Sequence, residues 1–172
     1  MKRTILTAVF AVSLLAAIGG KADATEVGYG RKFGLGIVIG DPTGLTAKLW
    51  IAPTNALDFG LGFWGYGVNN RCFDNGTCPR YGYNNGTFNM DYLWQSNIVR
   101  GQAQLDWHIG AGGRLWVGGG DASVAARMPV GLDLTFRKPS FLEVFLEIAP
   151  VFYFAPGTFL AMEGGLGVRG YF

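Results

Sequence analysis

Apolar residues alternate with small or polar residues along most of the chain beyond residue 30. Leu57, Phe59, Leu61 and Phe63, for example, are separated by an aspartate and two glycines. This period of two is typical of β-strands with unlike faces. Turn residues divide the pattern into eight predicted strands: Lys32–Gly40, Leu45–Ile51, Ala56–Trp64, Asp91–Ile98, Gln102–Trp116, Ala125–Phe136, Phe141–Phe152 and Leu160–Phe172.

The two faces of these strands differ in a way that favours a membrane protein. One face is large and apolar, and the other mixes glycine with charged residues. Eight strands leave a barrel interior only just wide enough for side chains to fill, so the bulky apolar residues fit better outside, against lipid. Alternating segments of about ten residues are typical of outer-membrane barrels. We therefore expect an all-β fold, an eight-stranded antiparallel up-and-down transmembrane β-barrel.

The first 24 residues resemble a secretory signal, and we expect them not to be part of the fold. Lys2 and Arg3 precede an uncharged apolar run from Ile5 to Ile18, and Ala22–Ala24 has the small–x–small form of a cleavage site. The apolar run is short for a membrane span, although an uncleaved anchor helix is the alternative. The sequence predicts a signal peptide over residues 1–24 and one barrel domain over residues 25–172.

Composition argues against a nucleic-acid partner. Three of the 14 basic residues and one of the 12 acidic residues lie in the predicted signal, so the remaining chain carries 11 of each and a net charge near zero. A nucleic-acid-binding protein would normally carry a basic stripe, and the sequence has none.

Charged residues on the second face predict an ionic network inside the barrel, since buried charges need partners. A packed network implies a plugged interior without an open pore; the alternative is that several of these residues lie near strand ends, in water. The predicted members are Lys48, Asp58, Asp106, His108, Arg114, Arg127, Asp133, Glu143, Glu147, Glu163 and Arg169.

A long polar stretch, Gly65–Met90, separates the third and fourth predicted strands. It contains both cysteines, Cys72 and Cys78, which in an exported chain predict a disulfide, with a metal pair as the less favoured alternative. Tyr81, Tyr83 and Phe88 also lie there. These aromatic residues make the stretch a candidate recognition loop for an external protein or glycan, although interfacial anchoring is the plainer interpretation.

The ending Gly167–Phe172, the alternating strands and the signal together resemble small outer-membrane barrels of the OmpA-barrel and OmpX kind. The segments Phe33–Gly44, Arg127–Leu132 and Glu143–Pro150 more narrowly resemble an uncharacterised bacterial small-barrel family. The resemblance implies that the barrel-assembly machinery binds the terminal aromatic residue and the apolar residues before it, here Phe172, Val168 and Leu166. It also implies outer-membrane lipid as a partner and the bacterial outer membrane as the location.

Candidate chemistry is sparse. His108 is the only histidine, and Asp106 lies two residues away on the same face. A lipid-modifying enzyme would need a serine beside such a pair, and no serine lies in a nucleophile motif. We therefore expect no enzymatic activity, cofactor or metal, and a structural or surface-interaction role. A narrow channel for small solutes, a lipid-modifying enzyme using His108 and a soluble ligand-binding barrel are the alternatives.

Overall fold

The computed structural model describes residues 31–64, 86–118, 121–136 and 138–172. These residues form nine antiparallel β-strands. None of them forms a helix long and apolar enough to cross a membrane. The strands are β1 (Phe33–Asp41), β2 (Thr43–Ala52), β3 (Asn55–Trp64), β4 (Gly86–Arg100), β5 (Ala103–Gly118), β6 (Asp121–Arg127), β7 (Val130–Phe136), β8 (Leu142–Ala155) and β9 (Phe159–Tyr171).

The strands pair into one ring-like sheet. Consecutive strands pair with each other except β6 and β7, and β1 also pairs with β9, so that Gly34 lies opposite Tyr171 and Asp41 opposite Gly164. Both β6 and β7 pair with β5 on one side and β8 on the other. The nine strands therefore occupy eight positions around the ring. Among the described strands, closure leaves no long unpaired edge.

The sixth predicted strand, Ala125–Phe136, is divided into β6 and β7. Pro129 lies at the break and has no N–H group to donate to a sheet. The chain nevertheless stays bonded to both neighbours there. The Gly110 N–H donates to the Pro129 carbonyl oxygen (2.8 Å), and the Met128 N–H donates to the Pro150 carbonyl oxygen (3.1 Å). The prediction of a single uninterrupted strand was wrong by this one interruption.

The fourth strand begins earlier than predicted, at Gly86 and not at Asp91. Phe88 therefore lies in β4, and its side chain is exposed. The first residues of β4 put Thr87 and Asn89 on the buried face. Because these are polar residues typical of loops, they concealed the alternation in the sequence.

The first turn is tighter than predicted, with only Pro42 between β1 and β2. The Gly40 N–H donates to the Thr43 hydroxyl (2.9 Å), and that hydroxyl donates to the Gly40 carbonyl oxygen (2.8 Å). Gly40 has a φ of 150°. A Cβ atom at this position would also overlap the Gly164 carbonyl oxygen, so the turn requires glycine.

The alternation of faces follows the prediction along the described strands. Apolar side chains such as Ile37, Ile39 and Leu166 point outward and are more than half exposed. The intervening side chains point into the ring, where Lys48 and Arg169 are almost completely buried. The usual arrangement of a water-soluble protein is thus inverted.

Candidate functional site

The ring interior is the candidate functional site, and it has three layers. An apolar cluster of Trp50, Ala56, Leu93 and Tyr171 lies near the edge that carries the start of β1 and the end of β9, which we call the terminal edge. A second apolar cluster, made of Ala125, Val151, Tyr153 and Ala161, lies near the opposite edge. Buried charged residues fill the space between these clusters.

Lys48 and Arg169 organise the ion pairs nearest the terminal edge. Lys48 Nζ lies 3.3 Å from Asp133 Oδ1 and 3.5 Å from Glu143 Oε2. The Arg169 guanidinium lies 3.0 Å from Glu143 Oε1 and 2.6 Å from Asp58 Oδ1. Charge-assisted bonds of this kind satisfy groups that would be costly to bury alone.

The Arg169 guanidinium is also held by neutral groups. Nε and Nη2 both donate to the Thr46 hydroxyl, at 3.0 and 2.7 Å. Its central carbon lies 3.8 Å from the centroid of the Phe145 ring, a cation–π distance. Arg169 therefore contacts three other strands, β2, β3 and β8, at once.

His108 links this group of ion pairs to a second one. Its Nδ1 lies 2.5 Å from Asp133 Oδ2, and its Nε2 lies 3.2 Å from Glu147 Oε2. Both ring nitrogens thus contact carboxylates, and an imidazolium is the form that donates to both. Among the described residues, the partners of both nitrogens are carboxylates and not a serine hydroxyl, which the lipid-modifying enzyme hypothesis requires.

Arg127 organises the second group, nearer the opposite edge. It binds Asp91, and it lies 2.5 Å from Glu147 Oε1 and 3.3 Å from Glu163 Oε2. Glu163 also pairs with Arg114. Ten of the eleven side chains in the two groups form one continuous series of alternating sign, and Asp91 is a branch on Arg127. In order the series is Arg114, Glu163, Arg127, Glu147, His108, Asp133, Lys48, Glu143, Arg169 and Asp58.

All 11 residues assigned to the interior from the sequence are buried, but Asp106 differs from the other ten in its binding partners. It is completely buried and accepts hydrogen bonds from amide groups: from Asn97 Nδ2 at 2.8 Å, Gln104 Nε2 at 2.9 Å and Gln95 Nε2 at 3.4 Å. It does not contact His108 in an ion pair within the described part of the chain.

Sequence analysis did not include several inward polar residues in the ionic network. Asp91 pairs with Arg127, Gln95 accepts a hydrogen bond from Lys48 Nζ at 2.7 Å, and Tyr171 donates one to Glu143 Oε2 at 2.9 Å. Thr87, Asn89, Asp91 and Gln95 have the spacing of one strand face. That period of two was the available signal, and it requires β4 to start at Gly86.

A small cavity remains beside the ion pairs. Its volume is about 30 Å³, and its lining includes Thr46, Asn89, Arg127 and Glu147. A polar space of this size holds one or two water molecules. No group of three or more potential ligands among the described residues has the geometry of a metal site.

The remaining candidate residues lie elsewhere. Leu166 and Val168 point outward from β9, and Phe172 is exposed just beyond it. The predicted signal, Cys72, Cys78, Tyr81 and Tyr83 lie outside the described residues. The predicted disulfide and recognition loop therefore stay predictions, except that Phe88 belongs to β4.

Comparison with known proteins gives no relative: no family model, curated protein or solved structure matches this chain.

Proposed function

We propose that this chain is a non-enzymatic β-barrel of the bacterial outer membrane, with a structural or surface-interaction role. The observation that carries the proposal is the inverted distribution of side chains. Large apolar residues cover the outside of a closed sheet, while lysine, arginine and carboxylate side chains fill its inside. Such an exterior is costly in water and stable in hydrocarbon, where closure also satisfies every backbone group.

Aromatic side chains at both ends of the strands support this proposal. Exposed phenylalanines lie at the terminal edge, at positions 33, 141 and 172, and at the opposite edge, at positions 63, 88, 152 and 154. Exposed aliphatic residues such as Ile37, Leu146 and Leu166 lie between them. Outer-membrane barrels have an apolar band flanked by aromatic girdles in the same order.

The packed interior favours a plugged barrel over the narrow channel. The ion pairs extend across the ring and have an apolar cluster on each side. One cavity that lies beside them, among the described residues, has a volume of about 30 Å³. We expect this interior to stabilise the barrel, and we assign surface interaction to the loops, including the predicted contact of the Gly65–Met90 stretch with an external protein or glycan.

We also propose that the barrel-assembly machinery engages the end of β9. Leu166, Val168 and Phe172 form an exposed apolar row there, and a partner can contact that row before insertion.

Cell fractionation combined with gel migration tests the proposal. We expect the chain in the outer membrane, extracted only with detergent, and migrating faster in unboiled samples than in boiled ones. Recovery from cells without detergent would support a soluble ligand-binding barrel instead. Current steps in planar bilayers would favour the channel, and we expect none.

A further inference from the structure

The exposed positive charges of the described chain all lie at the terminal edge. Arg31 and Lys32 precede β1, Arg100 ends β4, and Lys138 lies in the turn between β7 and β8. All four residues are exposed. The other described cations, Lys48, Arg114, Arg127 and Arg169, are buried in the ring.

These cations lie along one continuous arc of the edge. The Arg31 guanidinium donates to the Ser140 hydroxyl at 3.3 Å, which joins the start of β1 to the turn that holds Lys138. Further along, Phe136 pairs with Ala103, and Gln104 pairs with Arg100. The arc therefore runs from β1 past β9, β8 and β7 to the hairpin between β4 and β5.

Negative charge is scarce on the same edge. Among the described residues, Asp41 and Asp121 belong to the opposite edge, at the end of β1 and the start of β6. The other described aspartates and glutamates are buried. The described part of this edge therefore carries exposed cations and no exposed acidic side chain.

The cations also border the exposed apolar surface directly. Lys32 precedes Phe33, which is 42% exposed, and Arg100 follows Val99, which is 53% exposed. Phe141 lies next to Ser140 in the turn that holds Lys138. If the apolar surface lies in hydrocarbon, the cations lie at the depth of the lipid headgroups, where long basic side chains reach phosphate groups.

We propose that this basic edge, formed by Arg31, Lys32, Arg100 and Lys138, binds the headgroups of anionic phospholipids. The proposal rests on the proposed membrane location and adds a lipid class to it. Net negative lipids are attracted to such an edge, while zwitterionic lipids carry no net charge to complement it. Hydrogen bonds from two guanidinium groups to phosphate oxygens add to that attraction.

Fluorescence quenching by brominated lipids tests this preference. The chain without its predicted signal, residues 25–172, is refolded into phosphatidylcholine vesicles that contain either brominated phosphatidylglycerol or brominated phosphatidylcholine. Trp94, on the outward face of β4 and 49% exposed, is one tryptophan positioned to report contact with lipid. We expect brominated phosphatidylglycerol to bind about threefold or more tightly, and the preference to fall at about 1 M salt, where charges are screened beyond roughly 3 Å.

Two matched variants separate charge from structure. Arg31→Gln/Lys32→Gln/Arg100→Gln/Lys138→Gln removes the four charges, and we expect equal binding of both lipids. Arg31→Lys/Lys32→Arg/Arg100→Lys/Lys138→Arg keeps the charges and should keep the preference. Equal binding by the native chain, or a preference that persists in the neutral variant, would overturn the proposal. Insertion into vesicles without a preference would remove only this inference, whereas failure to insert into any vesicle would remove the proposed function as well.

Discussion

Lys48 and Asp133 lie 3.3 Å apart, measured from Nζ to Oδ1, although their strands occupy opposite sides of the ring. Four steps separate β2 from β7 in either direction around the eight positions of the sheet. Both side chains are completely buried. The interior is therefore spanned by a direct ion pair. Removing either partner takes away one of the two counterions of the other, since Lys48 also pairs with Glu143 and Asp133 with His108.

The substitution Lys48→Met keeps most of the side-chain volume and removes the charge that Asp133 and Glu143 share. We expect the free energy of unfolding to fall by about 3–5 kcal/mol, the usual cost of breaking a buried pair from one side. Urea titration of the protein in phosphatidylcholine vesicles measures it. Lys138→Met, at an exposed position, is the matched control and should leave the midpoint unchanged. Equal stability of the two variants would contradict the claim that the buried charge of Lys48 stabilises the fold.

Closure of the ring between β1 and β9 depends on Gly36. A Cβ atom there would overlap the Val168 carbonyl oxygen on the facing strand. Gly36→Ala should therefore destabilise the fold by about 1–3 kcal/mol, the cost of overpacking, and lower the fraction of fast-migrating protein in unboiled gels. Gly113→Ala is the control, because the nearest atom to its Cβ would be the Ala125 carbonyl oxygen at 3.8 Å. If both variants fold equally well, the account of close approach between β1 and β9 is wrong.

Position along the outward face should determine how costly a charge is. Ile148 lies near the middle of β8 and is 56% exposed, whereas Phe141 lies just before that strand and is 47% exposed. In vesicles, we expect Ile148→Arg to destabilise the fold by about 2–4 kcal/mol and Phe141→Arg by about 0–1 kcal/mol, as for charges at the bilayer midplane and interface. Urea unfolding of both variants in the same lipid provides the comparison. A protein that exposes this face to water would tolerate both substitutions alike.

Phe172 should matter for assembly more than for stability. Its side chain is 74% exposed, so little packing is lost in Phe172→Ala. We expect refolding of the purified variant into vesicles to match the native chain, while the amount of assembled protein in cell membranes falls several-fold. Phe154→Ala, at the opposite edge and 51% exposed, is the control for loss of an outward aromatic side chain. Equal membrane levels of the two variants would remove the proposed assembly role of Phe172.

The faces of the strands could be predicted from the sequence because a period of two survives any modest error in strand boundaries. Lys48 and Arg169 were assigned inward on that basis, and both are buried. The start of β4 could not be predicted, since Thr87 and Asn89 are typical of loops, and the interior that accepts them exists only after closure. The break at Pro129 depends similarly on hydrogen bonds from neighbouring strands.

Pairing within the interior was beyond sequence analysis for a different reason. The charged residues were identified, but Lys48 and Asp133 are 85 positions apart in the chain. Their contact depends on strand order, register and the width of the closed ring, none of which a single sequence contains. Asp91 was missed as a partner of Arg127 because its strand was predicted to begin at that residue.

The claim that the outward face contacts hydrocarbon is tested most directly by nitroxide accessibility along β8. Single cysteines at residues 144 to 149, in a Cys72→Ser/Cys78→Ser background, are spin-labelled in vesicles and exposed to oxygen or to a polar nickel chelate. We predict that labels at positions 144, 146 and 148 are accessible to oxygen and protected from the chelate. Among the variants labelled at 145, 147 and 149, those that still fold should show less contact between the label and oxygen. Strong relaxation of the even-numbered labels by the nickel chelate would place this face in water and contradict the account.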